Sequence, residues 1–527
     1  MKKNFISYYF LRKNIQIHVI ILTIFSIFLN QHVANRGVFP IDSFLIFDAA
    51  SNIISGNHPF KDYWLITGPF VDYVQSFFFM LFGISWSSYV LHASILNMIL
   101  TIFSYFFFLN IGLKNTQSFI YSLGVAILAY PSIGSPFVDH HSVIFCILAI
   151  FSISIAILSN RKFFWFLVPI LLIFSFLSKQ IPSPYFVILF IFFISLHFIL
   201  IKKIDKNVII SLFAGTFFSL LIILSIFLIN DIPIKNFLIQ YIYYPFSLGN
   251  ERINNLDIGF KNLIGQFKFI YLALLPLILS TYFLMKNKIK KNNFSRELIV
   301  SLIFLFTVMI LIYCQLLTKN QILIYFLIPI SAAYSHSYIQ KYYNKKYLIY
   351  FILVIFVFST SKYHIRFNEN RKFIELANAD LSLSEDATYL DERLNGLKWI
   401  TPHYPKRPLK EINLLLDIKN FLISRNDKII IITDYQFFNS LINNNIASPN
   451  KWYDNLSIPN KKNVYYKDHK KFFLNKIKTN KIKSIFFINK KKSEMYFFRE
   501  LIKENDCIVS SEINELLLEY NISRCRF

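Results

Sequence analysis

The chain has 527 residues, 55% of them hydrophobic and 60 of them Phe, with a mean hydropathy of +0.46, which is the composition of a polytopic membrane protein. Its 55 Lys and Arg against 30 acids do not signal a nucleic-acid partner, because up to Thr360 the bases gather in short segments between apolar runs, the positive-inside pattern. Abundant Ile, Phe, Asn and Lys beside few Ala and Gly also reads as AT-rich coding, so part of the basicity carries no functional meaning.

In chain order, membrane spans are predicted near 15–30, 87–111, 118–132, 142–158, 163–178, 184–201, 208–229, 267–285, 297–317, 321–339 and 347–360, about eleven in all. The basic clusters at Lys2, Lys3, Arg12 and Lys13, at Lys114, at Arg161 and Lys162, at Lys202, Lys203 and Lys206, at Lys286 to Lys291, and at Lys341, Lys345 and Lys346 then all face the cytoplasm. The alternation requires Phe70 to Gly83, only about 14 residues, to lie along or dip into the membrane rather than cross it. A signal peptide at Met1 to Asn14 is not expected, since no small-residue cleavage site follows the first apolar run.

The outer face receives the loop 31–69, the turns PSIGSPFVDHHS and LSKQIPSP, the loop 230–266, the TKNQ turn and everything after Ser361. From Ser361 onward charges become frequent and apolar runs shrink to strand length. Residues 361–527 are therefore expected to form a separate periplasmic α/β domain beyond a transmembrane domain of residues 1–360. KIIIIT (428–433) and KSIFFIN (483–489) read as buried strands, and PLKEINLLLDIKNFLI and Lys467 to Ile477 as helices. Cys146 and Cys314 fall inside spans as small packing groups. Cys507 and Cys525 lie near the end of the outer domain, where they either pair or stay as two buried thiols.

The unusual polar residues collect on that outer side. VFPIDSFLIFDAASNIISGNHPFKDYWLITGPFVDY carries Asp42, Asp48, Asp62 and Asp72 in a chain otherwise short of acids, and carboxylates held beside so much hydrocarbon suggest chemistry rather than packing. A carboxylate such as Asp42 can take the proton of an acceptor hydroxyl, which lowers the barrier by a factor of about 10²–10⁴; its bland reading is a loop acid or helix cap. Lys179, at the outer end of a span and followed by Gln180, is a fixed cation suited to a phosphate leaving group, or else a snorkelling interface lysine. Asp139, His140 and His141 sit at the mouth of a span, where Asp139 and His140 could hold a divalent cation or contact a phosphate, with at most one of the adjacent His as a ligand. Tyr241, Tyr243 and Tyr244 in QYIYYPF fit an interfacial aromatic belt better than a sugar site. Asp434, directly after KIIIIT, is either an acceptor contact or a cap.

The elements IDSFLIFDAASNIISGNHPFKDYWLITGP, FFFMLFG, FVDHHS and FLSKQ, in that order up to Gln180, resemble the GT-C fold glycosyltransferases, in particular the bacterial branch similar to protein mannosyltransferases and the lipid A aminoarabinose transferase. The resemblance implies a polytopic α-helical enzyme of the bacterial inner membrane. It would pass a sugar, with inversion, from a polyprenyl-phosphate donor to a glycan, lipid or protein acceptor on the outer face. It also implies that Asp42 is the general base. Ser43 stands where the family often has a second acid, which leaves Asp42 acting alone or with Asp48 or Asp62. A divalent cation held by Asp139 and His140 is the one cofactor the residues suggest, and the sequence does not say whether the reaction needs it. Two other functions share the architecture. A polysaccharide polymerase typically centres on Arg-rich outer loops, where here only Arg252 stands out, and a lipid-linked oligosaccharide flippase should carry charges along the interior of its spans.

Overall fold

The computed structural model describes residues 13–525 apart from 203, 255, 287–291, 320–322, 344, 443–445, 455, 491–497, 499–500 and 503–506. The expected basic clusters at Lys2, Lys3 and Arg12 and beyond Lys286, together with Lys203 and half of the TKNQ turn, lie outside the described residues.

Among the described residues eight helices are long and apolar enough to cross a membrane: Asn14–Ala34, Trp86–Asn110, Val138–Ser159, Ser183–Leu200, Lys206–Ile229, Lys268–Lys286, Arg296–Leu317 and Lys346–Glu369. They coincide with eight of the expected spans. The segments expected at 118–132, 163–178 and 321–339 fold as Asn115–Leu128, Lys162–Ser178 and Leu327–Tyr342, of 14, 17 and 16 residues. At 1.5 Å per residue these are about 21 to 26 Å long, shorter than a hydrocarbon core of about 30 Å, although Lys162–Ser178 still returns the chain from the far end of Val138–Ser159 to Asp139 at its start. Leu327–Tyr342 is buried at every position from Leu327 to Ile339, as a helix enclosed by others must be, whereas Lys206–Ile229 turns Phe213, Phe217 and Leu228 outward.

The segment expected to lie at the membrane surface is the helix Pro69–Phe82, bounded by Gly68 and Gly83. It is two-faced: Phe77, Met80, Leu81 and Phe82 are exposed, and Asp72, Gln75, Ser76 and Phe79 are buried. Gly68 has φ +84°, and a Cβ there would lie 2.5 Å from Val138 Cγ1, so both conformation and space demand glycine at this turn.

After the last span the chain forms a mixed α/β lobe. A short antiparallel pair, β1 (Glu385–Asp386) and β2 (Lys398–Trp399), precedes a five-stranded sheet of order β4-β3-β5-β7-β6, with β3 at Ile429–Thr433, β4 at Ile446–Ala447, β5 at Ser484–Ile488, β6 at Val509–Glu512 and β7 at Leu517–Asn521. β4, β3 and β5 run parallel, and β7 and β6 continue antiparallel. Both expected strands are present, and the expected helices are Pro408–Ile423 and Tyr466–Thr479.

Period-two alternation assigns the faces of this sheet. Ile430, Ile432, Ile485 and Phe487 pack with Phe473 and Ile477 in a core belonging to the lobe. Ile429, Ile431, Phe486 and Ile488 join a cluster that runs without interruption into the membrane helices. Both faces are buried, which is why these strands read as unbroken apolar runs. The lobe is therefore less separate than its charge content suggests, because one of its faces shares the core of the bundle.

Cys507 and Cys525 form a disulfide with Cα atoms 5.0 Å apart, and Cys146 and Cys314 are free and buried. Closing a loop across a separation of 18 residues restricts the unfolded chain by about 3 kcal/mol. Cys525→Ser should lower the unfolding free energy of the lobe by about 2–4 kcal/mol in thermal or denaturant melts. Non-reducing peptide mapping should recover the two cysteines joined, and recovery of both as free thiols from cells alkylated intact would contradict the pairing.

Candidate active site

One end of the helical bundle, the first loop and the lobe meet along one seam, and three of the four loop acids are used to hold it together. Asp72 is fully buried and forms an ion pair with the equally buried Lys451 at 2.5 Å, while Tyr63 OH donates to its other oxygen at 3.4 Å. Beside that pair the backbones associate like strands, with Trp64 N donating to Pro449 O at 2.8 Å and Lys451 N to Trp64 O at 3.0 Å. Asp62 takes Lys476 Nζ at 3.0 Å and the backbone N–H of His58 at 2.9 Å. Asp48 is buried against the lobe, where one oxygen accepts from Ser440 N at 2.9 Å and Ser440 Oγ at 2.6 Å and the other from Asn439 N at 3.3 Å. Burial pushes the Asp48 carboxyl up to about 7 against those hydrogen bonds.

Asp42 is different. It lies in the short helix Pro40–Ser43, opened by Pro40 at its first position and closed by Ser43 Oγ accepting from Phe39 N at 3.0 Å. The strand-like stretch before it is pinned to the lobe, with Gly37 N donating to Lys398 O and Val38 N to Ile400 O, both at 3.0 Å. Among the described residues the Asp42 carboxylate makes neither a hydrogen bond nor an ion pair, although it is half-buried with protein packed around it. Its carboxyl is pushed up to about 7, first by burial and then by the negative charges of Asp139, Glu375 and Asp434, with Lys179 opposing. Four elements distant in sequence thus place charge around one open carboxylate.

Lys179 follows the helix Lys162–Ser178 and forms an ion pair with Asp139, which lies in the first turn of the helix Val138–Ser159. The charge of Arg252, from the loop between the fifth and sixth spans, also acts on Lys179. Gln180 Nε2 donates to Ile66 O at 2.7 Å and Tyr241 O at 2.8 Å, so its amide nitrogen braces the first loop against the segment after the fifth span. His140 points away from Asp139: its Nε2 lies 3.3 Å from Ser132 Oγ and its ring packs among Tyr130, Phe137 and Phe373. Asp139 and His140 therefore do not converge on one ion, and among the described residues no group of three or more His, Cys, Asp or Glu side chains is placed to hold a metal. His141 belongs to a buried chain instead, with Nε2 at 2.9 Å from His92 Nε2 and Nδ1 at 2.7 Å from Tyr130 OH.

Of the tyrosines in QYIYYPF, only Tyr243 is exposed as an interfacial aromatic belt requires. Tyr241 and Tyr244 are buried, the first donating to Phe176 O and the second to Leu456 O at 2.7 Å. Asp434, immediately after β3, pairs with Lys490, two residues past the end of β5. Asp434 and Lys490 thus pair beyond the carboxyl ends of two parallel strands, the edge at which open α/β sheets receive ligands, and the charge of Asp434 is felt at Asp42. A polar cavity of about 310 Å³ opens elsewhere on the seam, near Asn57 and Asn480, and of the expected site residues only Asp62 lines it. Lys451 and Lys476 were not legible as seam residues, since each is one of many charges in a charged lobe and lies hundreds of residues from its partner, and Glu375 is as distant in sequence from Asp42, on which its charge acts. A positive φ of 62° at Glu375 marks the turn that aims it.

Compared with protein-family models and with curated proteins, the chain matches none of them.

Breaking a buried pair strands a charge, so Asp72→Asn or Lys451→Met should each cost about 3–5 kcal/mol. Asp62→Asn, at a partly exposed pair, should cost about 1 kcal/mol or less. Thermal melts of the detergent-purified protein test the order, and equal melting temperatures for all three variants would contradict the anchoring role of Asp72.

Proposed function

We propose that the chain is a membrane glycosyltransferase that moves a sugar from a polyprenyl-phosphate donor to a hydroxyl of an envelope glycan, lipid or protein at the outer face of the bacterial plasma membrane. The observation that supports it most is the condition of Asp42, the one first-loop acid not used as an anchor, with a carboxyl raised to about 7 beside a lysine. A base works best when its pKa lies near the operating pH. In the proposed step the acceptor oxygen attacks the anomeric carbon, the bond from that carbon to the phosphate oxygen breaks, and the acceptor proton passes to Asp42. The polyprenyl phosphate leaves with an added negative charge, which Lys179 stabilises and Arg252 supplements. Glu375 and Asp434 face the same space from the lobe and suit an acceptor rich in hydroxyls. Asp48 and Asp62 act as anchors in this reading, Asp139 positions Lys179, and Gln180 positions the loops.

Asp42→Asn should lower transfer about 10²-fold or more in proteoliposomes supplied with polyprenyl-phosphate sugar, with donor binding largely kept. The wild-type rate should fall below about pH 7, because the base must be ionised, and the variant should lose that limb. Stability must move the other way. The folded pKa of Asp42 lies above its unfolded value, so its ionisation opposes folding as pH rises toward 7, and Asp42→Asn should melt no lower than wild type at pH 8. Lys179→Met should weaken donor binding and turnover together, since it removes charge felt by the ground-state phosphate and the leaving group. Near-normal transfer by Asp42→Asn would move the base elsewhere, and lipid translocation without transfer would replace the enzyme by a flippase.

A further inference from the structure

The loop between the spans Lys206–Ile229 and Lys268–Lys286 carries large apolar side chains on its surface: Tyr243, Phe246, Ile253, Ile258, Phe260 and Ile264. Phe246 is 84% and Phe260 79% exposed, more than almost any apolar residue of the lobe. Single exposed hydrophobics are ordinary, but a run of them within one loop marks a surface made for apolar surroundings.

The helix Tyr244–Asn254 shows how that surface is oriented. Tyr244 and Ser247 meet the lobe, through Tyr244 OH donating to Leu456 O at 2.7 Å and Asn463 Nδ2 donating to Ser247 Oγ at 3.0 Å. Phe246 and Ile253 are seven residues apart and so share a face. Arg252 lies off that face, and its charge reaches Lys179. The loop begins and ends where two apolar helices end, and it carries the exposed Lys261 and Lys268, the second at the first position of the helix Lys268–Lys286; a cationic side chain beside an apolar surface is the pairing that suits lipid headgroups.

We infer that the segments Tyr243–Asn254 and Leu256–Ile264 are seated in the lipid leaflet on the lobe's side of the membrane, with Phe246, Ile253 and Phe260 among the acyl chains and Lys261 and Lys268 at the lipid phosphates. This seating fixes the depth of Arg252, whose charge acts on Lys179. It holds for any reaction performed there.

Site-directed spin labelling tests the seating directly. Phe246→Cys, Ile253→Cys and Phe260→Cys are each labelled with a nitroxide in the full chain, reconstituted into vesicles of phosphatidylethanolamine and phosphatidylglycerol. Phe217→Cys serves as the bilayer control and Val464→Cys as the aqueous one, both exposed. Collision rates with oxygen should exceed those with a water-soluble nickel chelate severalfold at 246, 253 and 260, with a depth between the two controls. Three exposed positions give independent readings if one variant fails to insert. Nickel accessibility equal to that at 464 would overturn the inference, and so would shielding from both reagents, which would mean that a protein covers the face.

Discussion

An aspartate and a lysine removed from water together hold the two halves of this molecule in register. Asp72 and Lys451 are both buried, and neither charge could be tolerated there without the other. Because Asp72 is on the short surface helix and Lys451 on the lobe, their pairing fixes the lobe to the helical bundle at one point. The backbone exchange between Trp64 and the stretch 449–451, the pair Asp62–Lys476 and the grip of Asp48 on Ser440 extend that point into a line. The shared apolar cluster then closes behind it.

The environment of Asp42 is a consequence of that line. Its neighbours come from separate parts of the chain: Asp139 and Lys179 from helix ends, Glu375 from the start of the lobe, and Asp434 from the edge of the sheet. None is within thirty residues of Asp42 in sequence, and the two acids of the lobe are present only when the lobe is docked. In the proposed reaction the lobe is therefore a wall of the site, and any change that loosens the seam should be felt at the base.

Hydropathy and charge placement carried most of the fold. The strands Ile429–Thr433 and Ser484–Ile488 and the helices Pro408–Ile423 and Tyr466–Thr479 were legible because runs buried on both faces and a 3.6-residue period are local signals. Three of the expected spans are helices of 14 to 17 residues, and hydropathy gave no sign of their shorter length, because a helix enclosed by protein such as Leu327–Tyr342 is as apolar as one facing lipid. The antiparallel strands Val509–Glu512 and Leu517–Asn521 were missed because the first is exposed throughout and shows no apolar pattern. In the site, the acid-rich loop could be read as exceptional, but the division of labour among its acids could not. Asp48, Asp62 and Asp72 are set apart from Asp42 above all by their contacts with Ser440, Lys476 and Lys451 of the lobe, which nothing in the local sequence points to.

The most direct test is a cryo-electron microscopy structure of the full chain in lipid nanodiscs with a polyprenyl-phosphate sugar bound. The account predicts phosphate density within reach of Lys179 and Arg252, a sugar beside them, and the Asp42 carboxylate within hydrogen-bond distance of the face that an acceptor would approach. A headgroup bound elsewhere, such as in the polar cavity near Asn57 and Asn480, with Asp42 remote from the sugar, would contradict it.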